Sequence, residues 1–338
     1  MKIRGLLGIA LTLLLALLAA ACGGGGNQGG GSASGGLTPV TFRLDWIVDG
    51  SHTCYFAALQ QGFFRDEGLD VQILEGAGSG TTANLIANGT NDFGFSDAGV
   101  VAKAINDGAP IKMVMDIYQR NPSVIISLAD TGITSPETLA GKNVGAAPGE
   151  APLQLLPAYL SASGVDPGQV NVVNMDPGAK ISALLGGRVD AIVGYSSSDL
   201  PIAEVQSKKD LNVQHYADYG VVTLSNGIIT SNDMISKHPD LVRSFVRAVQ
   251  KGFEYCQANP DKAVGMLADQ FPQSVNADEA TVALHEVLSN LHTDRTKNQP
   301  IGYMDPADWK DTLATLVKYA DLSQPKSADV YFTDDFVK

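Results

Sequence analysis

The chain has 338 residues, with 36 acidic and 23 basic side chains and a formal net charge of −13. This length suffices for one large or two medium domains with proper cores. It contains no basic stretch that would hold nucleic acid, so that class of partner is excluded. Beyond Cys22 only Cys54 and Cys256 remain, and no Cys or His spacing suggests a zinc site. We expect two buried free thiols, with a disulfide as the alternative in an oxidising compartment.

Residues 1–21 have the pattern of a signal peptide. Lys2 and Arg4 precede an apolar run at 6–21, which is shorter than the ~20 residues that span a bilayer. Residues 18–22 resemble a bacterial lipoprotein box, so we expect cleavage before Cys22, acylation of its thiol and anchoring in the membrane. Residues 22–38 form a Gly-rich tether without apolar periodicity, whose flexible reach is roughly 22 Å. Loss of Lys2 and Arg4 takes the formal net charge from −13 to −15.

After the tether, short β-rich runs alternate with helical patterns, which predicts mixed, mostly parallel sheets flanked by helices. The fold class is therefore α/β, with two lobes joined by two crossovers: 39–130 with 229–338 as the first, and 131–228 as the second. Hinges are expected near 129–134 and 217–230. The predicted strands are 40–46, 70–75, 92–95, 111–117, 123–128, 143–147, 170–175, 190–195, 211–216 and 224–231. The predicted helices are 53–66, 80–89, 97–107, 152–163, 178–186, 199–208, 239–258, 260–270, 277–291 and 306–320.

In open parallel sheets, ligands bind beyond the carboxyl ends of the strands, near helix N-termini. The loops read at these positions carry hydroxyls, acids and two aromatic residues, and none carries Lys or Arg. They predict a polar, partly aromatic cleft without a cation, suited to a flat neutral or cationic ligand. The candidate ligand-binding residues are Asp45, Trp46, Ser79, Thr81, Ser96, Asp97, Glu150, Tyr195, Ser196 and Asn226.

Each candidate also has a purely structural interpretation. Trp46 is as well explained as a core residue packed beneath a helix. Asp97 and Asp199 stand where helix N-caps belong, and capping is the expected role of both. The Gly-rich loop 76–81 lacks the Lys of a phosphate-binding loop, so we interpret it as a tight turn that contacts ligand or caps a helix. The serines 196–198 suit either role, and the sequence assigns neither.

The chain contains several short motifs: LDW (44–46), His52, GFF (62–64), EGLDV (67–71), LAGKNVG (139–145), GRVDA (187–191), NGII (226–229) and HPDLV (238–242). Together they resemble the thiamine-pyrimidine-precursor-like substrate-binding proteins of ABC importers. The resemblance covers about residues 41–271, and the final helices are only generically similar.

This resemblance implies a periplasmic-binding-protein-like fold of type II. It implies a lipid-anchored protein on the extracytoplasmic side of the cell membrane, which delivers a small molecule to an ABC permease and its ATPase. No cofactor, metal or enzymatic activity is expected. The family also contains iron-dependent pyrimidine synthases, whose His-rich and Cys-rich segments this sequence lacks. A sensory module that keeps the two lobes stays open as an alternative.

The ligand is the least constrained part of this prediction. The anion-binding branches of the family are expected to place a cation in the cleft, and none is evident. Trp46 and Tyr195 beside many hydroxyl groups suit a flat tricycle that carries a polyol, and resemblance to the riboflavin-binding members favours riboflavin. A thiamine pyrimidine precursor is the first alternative, followed by other small solutes.

Overall fold

The structure is a computed structural model that describes residues 36–337. The predicted signal peptide, Cys22 and most of the tether lie outside the described residues. The first strand begins at Thr38, the last residue that we assigned to the tether. Among the helices of residues 36–337, none is both long enough and apolar enough to cross a bilayer.

Two five-stranded sheets form the framework of the described chain. The strands are β1 (Thr38–Arg43), β2 (Leu69–Leu74), β3 (Phe93–Asp97), β4 (Ile111–Asp116), β5 (Ser123–Leu128), β6 (Asn143–Ala146), β7 (Asn171–Asn174), β8 (Ala191–Tyr195), β9 (Leu211–His215) and β10 (Asn226–Ser231). The first sheet has the order β2-β1-β3-β10-β4 and the second the order β7-β6-β8-β5-β9. In each sheet one strand, β10 or β5, runs antiparallel to its two neighbours. The mixed, mostly parallel sheets match the predicted α/β fold.

Twelve α-helices flank these sheets within the described chain. They are α1 (Thr53–Gln60), α2 (Phe63–Asp66), α3 (Ser79–Ala87), α4 (Ala98–Asn106), α5 (Ala151–Ala162), α6 (Lys180–Leu185), α7 (Asp199–Ser207), α8 (Asn232–Lys237), α9 (Pro239–Ala258), α10 (Pro260–Gln270), α11 (Ala277–Ser289) and α12 (Pro306–Tyr319). We call the first sheet with α1–α4 and α8–α12 the first lobe, and the second sheet with α5–α7 the second lobe.

Strand β5 overturns one predicted boundary. We expected it in the first lobe, but it pairs with β8 and β9 in the second sheet. Only residues 117–122 connect β4 to β5, too few for the crossover that a parallel neighbour in the same sheet requires. The chain instead passes to the second lobe there and returns through residues 216–225. We propose the lobe boundaries, and the hinges, at these two crossings.

Aromatic side chains dominate the core of the first lobe. Phe245 of α9 stacks on Phe93 of β3, with ring centroids 4.0 Å apart, and contacts Phe42 of β1 at 5.3 Å. Helix α9 begins with Pro239, whose missing N–H costs nothing in the first turn. This packing fixes α9 against β1 and β3, whose carboxyl ends face the second lobe.

A disulfide joins Cys54 of α1 to Cys256 of α9, with Cα atoms 5.8 Å apart. The expectation of two free thiols is therefore wrong. The two helices pack side by side, which brings together residues separated by 202 positions in the chain. Sequence spacing alone carries no information about such a long-range pair.

Candidate functional site

The two lobes meet directly at the Gly-rich loop 76–81. The N–H of Gly80 donates a hydrogen bond to the carbonyl of Gly149 in the second lobe at 3.0 Å. Gly78 has φ +114°, and a Cβ there would lie 2.5 Å from the carbonyl carbon of Gly149. Only glycine allows the two backbones to approach this closely. The loop is therefore a contact between the lobes at the rim of the cleft.

A small cavity of about 20 Å³, roughly the space of one water molecule, lies inside the closed cleft and is lined by both lobes. Its walls are formed by Asp45, Trp46, Ser51, Gly78, Ser79, Tyr118, Glu150, Ala151, Pro152, Tyr195, Ser198 and Asp199. Five of the ten candidate ligand-binding residues are in this set: Asp45, Trp46, Ser79, Glu150 and Tyr195. The strand-end loops thus converge on one cavity.

Three further candidates lie behind the wall. Ser96 is fully buried and donates its hydroxyl hydrogen to the carbonyl of Ser79. Asn226 donates to Asp45 Oδ2 at 2.6 Å and accepts from the Tyr195 hydroxyl at 2.8 Å. Through Asn226, these contacts connect Tyr195 of the second lobe to Asp45 of the first lobe. Ser96 and Asn226 therefore orient wall residues instead of facing the cavity.

Asp97, the third of these, caps helix α4 as expected. Its Oδ1 accepts hydrogen bonds from the backbone N–H groups of Gly99 at 2.8 Å and Val100 at 3.1 Å. Its Oδ2 accepts from Ser225 Oγ at 2.9 Å. Burial raises the pKa of Asp97 to about 6 despite these hydrogen bonds.

The remaining two candidates, Thr81 and Ser196, lie outside the cavity. Thr81 is exposed on the outer side of α3, with its hydroxyl 3.5 Å from the carbonyl of Ala77. Ser196 donates to Glu286 Oε1 of α11 at 2.7 Å, which joins the second lobe to the first. Thr81 follows Ser79 by two helical positions and consequently points to a different side of α3.

The first-lobe wall contains a buried histidine between two carboxylates. His52 Nε2 lies 3.1 Å from Asp45 Oδ1, and its Nδ1 lies 3.4 Å from Asp49 Oδ1. Burial disfavours the charged ring, but Asp49 and Asp45 outweigh this and raise the pKa of His52 to about 10. We call Asp45, His52 and Asp49 the first-lobe triad. With its imidazole protonated, it carries one net negative charge.

The second-lobe wall repeats this arrangement. Lys180 Nζ lies 2.7 Å from Glu150 Oε2 and 3.1 Å from Asp199 Oδ1, and its side chain is fully buried. Burial disfavours the ammonium, but Asp199 and Glu150 raise the pKa of Lys180 above its ordinary value. A single ammonium cannot neutralise two buried carboxylates, and burial raises the pKa of Glu150 to about 7. We call Glu150, Lys180 and Asp199 the second-lobe triad.

Lys180 corrects two expectations. The cleft was predicted to lack a cation, yet this ammonium lies directly behind its wall, 4.9 Å from the centroid of the Trp46 ring. Asp199 was expected to cap a helix, but it is the first residue of α7, and its Oδ2 accepts from Lys180 and from the Tyr195 backbone N–H. Both carboxylate oxygens of Asp199 therefore have partners within the second lobe.

Two contacts across the cleft, a hydrogen bond and a cation–π contact, hold the two walls together. The hydroxyl of Ser198 donates to Asp49 Oδ2 of the first-lobe triad. Trp46 of the first lobe covers Lys180 of the second and is only 8% exposed. Because both contacts join residues of different lobes, opening of the cleft would break them and hydrate the triads.

The family is established by a match over more than half of the chain. Residues 49–263 match the family model described as "NMT1/THI5 like". The chain belongs to the NMT1/THI5-like family.

Relatives of this NMT1/THI5-like protein include both binding proteins and synthases. A formylaminopyrimidine-binding protein of Halalkalibacterium halodurans is 28% identical over 88% of this chain and 90% of its own length. The riboflavin-binding protein RibY of Chloroflexus aurantiacus is 28% identical over 89% of this chain and 86% of its own. A 4-amino-5-hydroxymethyl-2-methylpyrimidine phosphate synthase of Legionella pneumophila is 26% identical over 69% of this chain and 74% of its own.

Solved structures confirm the two-lobed binding-protein-like fold of this family member. The alkanesulfonate-binding protein SsuA of Xanthomonas axonopodis pv. citri superposes with a TM-score of 0.68 at 14% identity. The superposition covers 89% of this chain and all of that one. A protein of Bordetella bronchiseptica superposes with a TM-score of 0.73 at 15% identity, over 88% of this chain and 95% of that one.

Several wall residues were missing from the candidates drawn from the sequence of this NMT1/THI5-like protein. Lys180 begins α6 just beyond the carboxyl end of β7, a position that we did not read among the strand-end loops. Tyr118 follows the carboxyl end of β4 in the same way. Ser51 and His52 occupy a short 3₁₀ turn capped by Asp49, whose side chain accepts from the Ser51 N–H. Reading every strand end would have found Lys180 and Tyr118.

The raised pKa of Glu150 predicts how stability depends on pH. Its carboxyl has a reference value of 4.5 and a pKa of about 7 in the folded chain, so between these values the folded state binds a proton that the unfolded state releases. The free energy of unfolding should therefore fall by about 2 kcal/mol from pH 5 to pH 7 through this group, since one pKa unit is about 1.4 kcal/mol. Urea unfolding of native and Glu150→Gln protein at both values measures the difference, and the variant should show the smaller fall.

Glu254→Gln is the matched control, because Glu254 is exposed on α9. Its pH dependence should equal that of the native protein. If the free energy of unfolding falls equally in native and Glu150→Gln protein from pH 5 to pH 7, the pKa of Glu150 is not raised by folding.

Proposed function

We propose that this protein is the substrate-binding protein of an ABC-type importer and captures a small amino-substituted heteroaromatic ring. The observation that carries this proposal is the closed cavity between the lobes, with an acidic wall on each side and the aromatic rings of Trp46 and Tyr195. Acidic groups accept hydrogen bonds from ring N–H and amino groups, and aromatic side chains offer flat faces for stacking. The two lobes would close on such a ligand by hinge motion, and the closed protein would then deliver it to a permease.

The walls favour an aminopyrimidine as the ligand. A pyrimidine with amino substituents presents donors at its edge to the carboxylates of Asp45, Glu150 and Asp199. The free space in the closed cleft, about 20 Å³, is roughly that of one water molecule, so the cleft must open to admit any ligand. A single ring requires less opening of the cleft than a tricyclic flavin with a polyol chain. The formylaminopyrimidine-binding relative agrees with this choice.

Riboflavin, favoured by the sequence, becomes the second candidate. The observation in its favour is the pair of aromatic residues, Trp46 and Tyr195, on opposite lobes beside the hydroxyls of Ser51, Ser79 and Ser198. The relative RibY is named for riboflavin binding. If the two rings flank a flavin, its green fluorescence should be quenched on binding.

We propose binding without catalysis as the role of the site. The matches to binding proteins extend over 86–90% of the relatives' lengths, and the match to the Legionella synthase over 74%. Within residues 36–337, no three His, Cys, Asp or Glu side chains are grouped so that they could hold a metal ion. Incubation of the protein with a candidate pyrimidine and analysis by mass spectrometry should return it unchanged.

We also propose that acylation of Cys22 tethers the protein to the outer face of the cell membrane. Membrane fractions should contain the acylated chain, and Cys22→Ser protein should be released in soluble form. Acylated, membrane-bound Cys22→Ser protein would show that the anchor lies elsewhere.

Trp46→Ala should weaken ligand binding by roughly tenfold to a hundredfold. The substitution removes a stacking face, worth about 0.5–1.5 kcal/mol, together with the apolar area that the ligand buries against it. Ligand at a hundred times the native dissociation constant should stabilise native protein by about 2.7 kcal/mol, and should stabilise the variant by less than about 1.5 kcal/mol. Thermal melting with and without 4-amino-5-hydroxymethyl-2-methylpyrimidine measures both.

Trp309→Ala is the matched control for this experiment. Trp309 is fully buried in the core beside Phe332, outside the cavity. The control should melt at a lower temperature than native protein yet keep the full ligand-induced shift. A full shift in Trp46→Ala protein, or its failure to fold, would instead assign Trp46 to the core.

A further inference from the structure

Each wall of the cleft contains one basic side chain that the ligand cannot reach. Lys180 is completely buried, and its ammonium contacts Glu150, Asp199 and the face of Trp46. His52 is 1% exposed, and both of its ring nitrogens face the carboxylates of Asp45 and Asp49. Neither cation lines the cavity, whereas Asp45, Glu150 and Asp199 do. The ligand therefore contacts carboxylate hydrogen-bond acceptors, although two basic side chains lie directly behind them.

We infer that the net charge of the second-lobe triad determines specificity: Glu150 and Asp199 make the wall negative, and Lys180 limits that charge, so that the cleft accepts an uncharged or cationic amino-heterocycle and rejects its phosphate ester. This inference rests on the proposed function and extends it to the charge of the ligand. Above the Glu150 pKa of about 7, both carboxylates are ionised, and with Lys180 in place the triad carries one net negative charge. Without Lys180 the wall would carry two uncompensated carboxylates, a state that burial disfavours. Lys180 thus limits the net charge of the second-lobe wall to one negative unit.

The discrimination against a phosphate ester follows from Coulomb repulsion. A phosphate carries about −1.5 to −2 charges at pH 7, and both triads present net negative charge to the cavity. At a few ångströms in a partly desolvated site, each unit of wall charge should change the affinity for the ester on the order of tenfold. An anion-binding site would require the reverse arrangement, with the ammonium exposed to the cavity and its carboxylate partners behind it.

Four variants separate the charge of the wall from its individual contacts. Glu150→Gln and Asp199→Asn each make the second-lobe wall neutral, while they alter different side chains. The double variant Glu150→Gln/Asp199→Asn leaves Lys180 alone and makes the wall positive. The triple variant, which adds Lys180→Met to the double variant, makes the second-lobe wall neutral again.

The measurement is the ratio of dissociation constants for 4-amino-5-hydroxymethyl-2-methylpyrimidine and its phosphate ester, taken by calorimetry at pH 8, where Glu150 is ionised. We expect native protein to prefer the alcohol by about a hundredfold or more. Each single variant should reduce this preference about tenfold, and the double variant about a hundredfold. The triple variant should recover the preference of the single variants. Thermal melting confirms that each variant is folded.

Asp308→Asn is the control, because it removes a buried, ion-paired carboxylate that does not line the cavity. It should leave the ratio unchanged. Single variants that differ from each other as much as from native protein would show that contact, not charge, discriminates. Equal ratios in the double and triple variants would show that Lys180 plays no part. If native protein binds riboflavin and no pyrimidine, the proposed ligand is wrong, and riboflavin with its 5′-phosphate ester tests the same charge rule.

Discussion

Replacing Lys180 by methionine should lower the free energy of unfolding by about 3–5 kcal/mol, among the largest effects of any single substitution in this chain. Methionine replaces the lysine side chain as far as Cε but leaves Glu150 and Asp199 buried without a counter-charge. The loss should shrink at pH 5, because protonation of the two acids then relieves their repulsion. Urea unfolding at pH 5 and pH 8 measures both effects.

Lys209→Met provides the matched control. Lys209 pairs with Asp130 at 3.3 Å, but the two side chains are 57% and 66% exposed. Exposed ion pairs contribute about 0–1 kcal/mol, so this variant should unfold nearly as native protein does. A loss below about 1 kcal/mol for Lys180→Met, or a loss that does not change with pH, would mean that the second-lobe triad is hydrated and unimportant for stability.

Loss of the disulfide between Cys54 and Cys256 should destabilise the protein by up to about 5 kcal/mol. The bond closes a loop of 202 residues, and the entropy removed from the unfolded chain grows with the logarithm of the loop length. Cys54→Ala, Cys256→Ala and the double variant should therefore all melt at nearly the same lowered temperature. Thermal melting with and without reductant measures the loss in native protein.

Thiol alkylation under denaturing, non-reducing conditions gives the control. Native protein should take up no reagent at these two positions, and each single variant should take up one equivalent at the remaining cysteine. Uptake at both positions in native protein, with no effect of reductant on melting, would restore the original expectation of free thiols.

Local structure was largely predictable because it depends on patterns within a few turns of chain. The predicted helices 239–258 and 260–270 agree with α9 and α10 at both ends, since Pro239 and Pro260 mark their first turns. Helix α8 (NDMISK) escaped prediction because Met234 and Ile235 are its only apolar residues, too few for a periodic pattern. Strand β5 was found but placed in the wrong lobe, because strand pairing is a property of the folded chain.

The candidate site was predictable to the extent that it follows from strand ends. All five cavity-lining candidates lie at or just beyond strand ends or at helix starts: Asp45, Trp46, Ser79, Glu150 and Tyr195. The role of Lys180 was not predictable, since its charge is neutralised by Glu150 and Asp199, which lie 30 and 19 positions away. Likewise, the contact of Ser198 with Asp49 joins residues 149 positions apart. Such pairings depend on how the lobes close.

Calorimetric titration of ligand-stripped protein with 4-amino-5-hydroxymethyl-2-methylpyrimidine tests the central claim most directly, with riboflavin and an alkanesulfonate as parallel titrants. We expect one molecule of the pyrimidine to bind per chain, with a negative heat-capacity change as apolar surface is buried in the cleft. We expect no saturable heat from the sulfonate, because both walls of the cavity are acidic. Saturable binding of the sulfonate, with none of either heteroaromatic compound, would contradict the proposal.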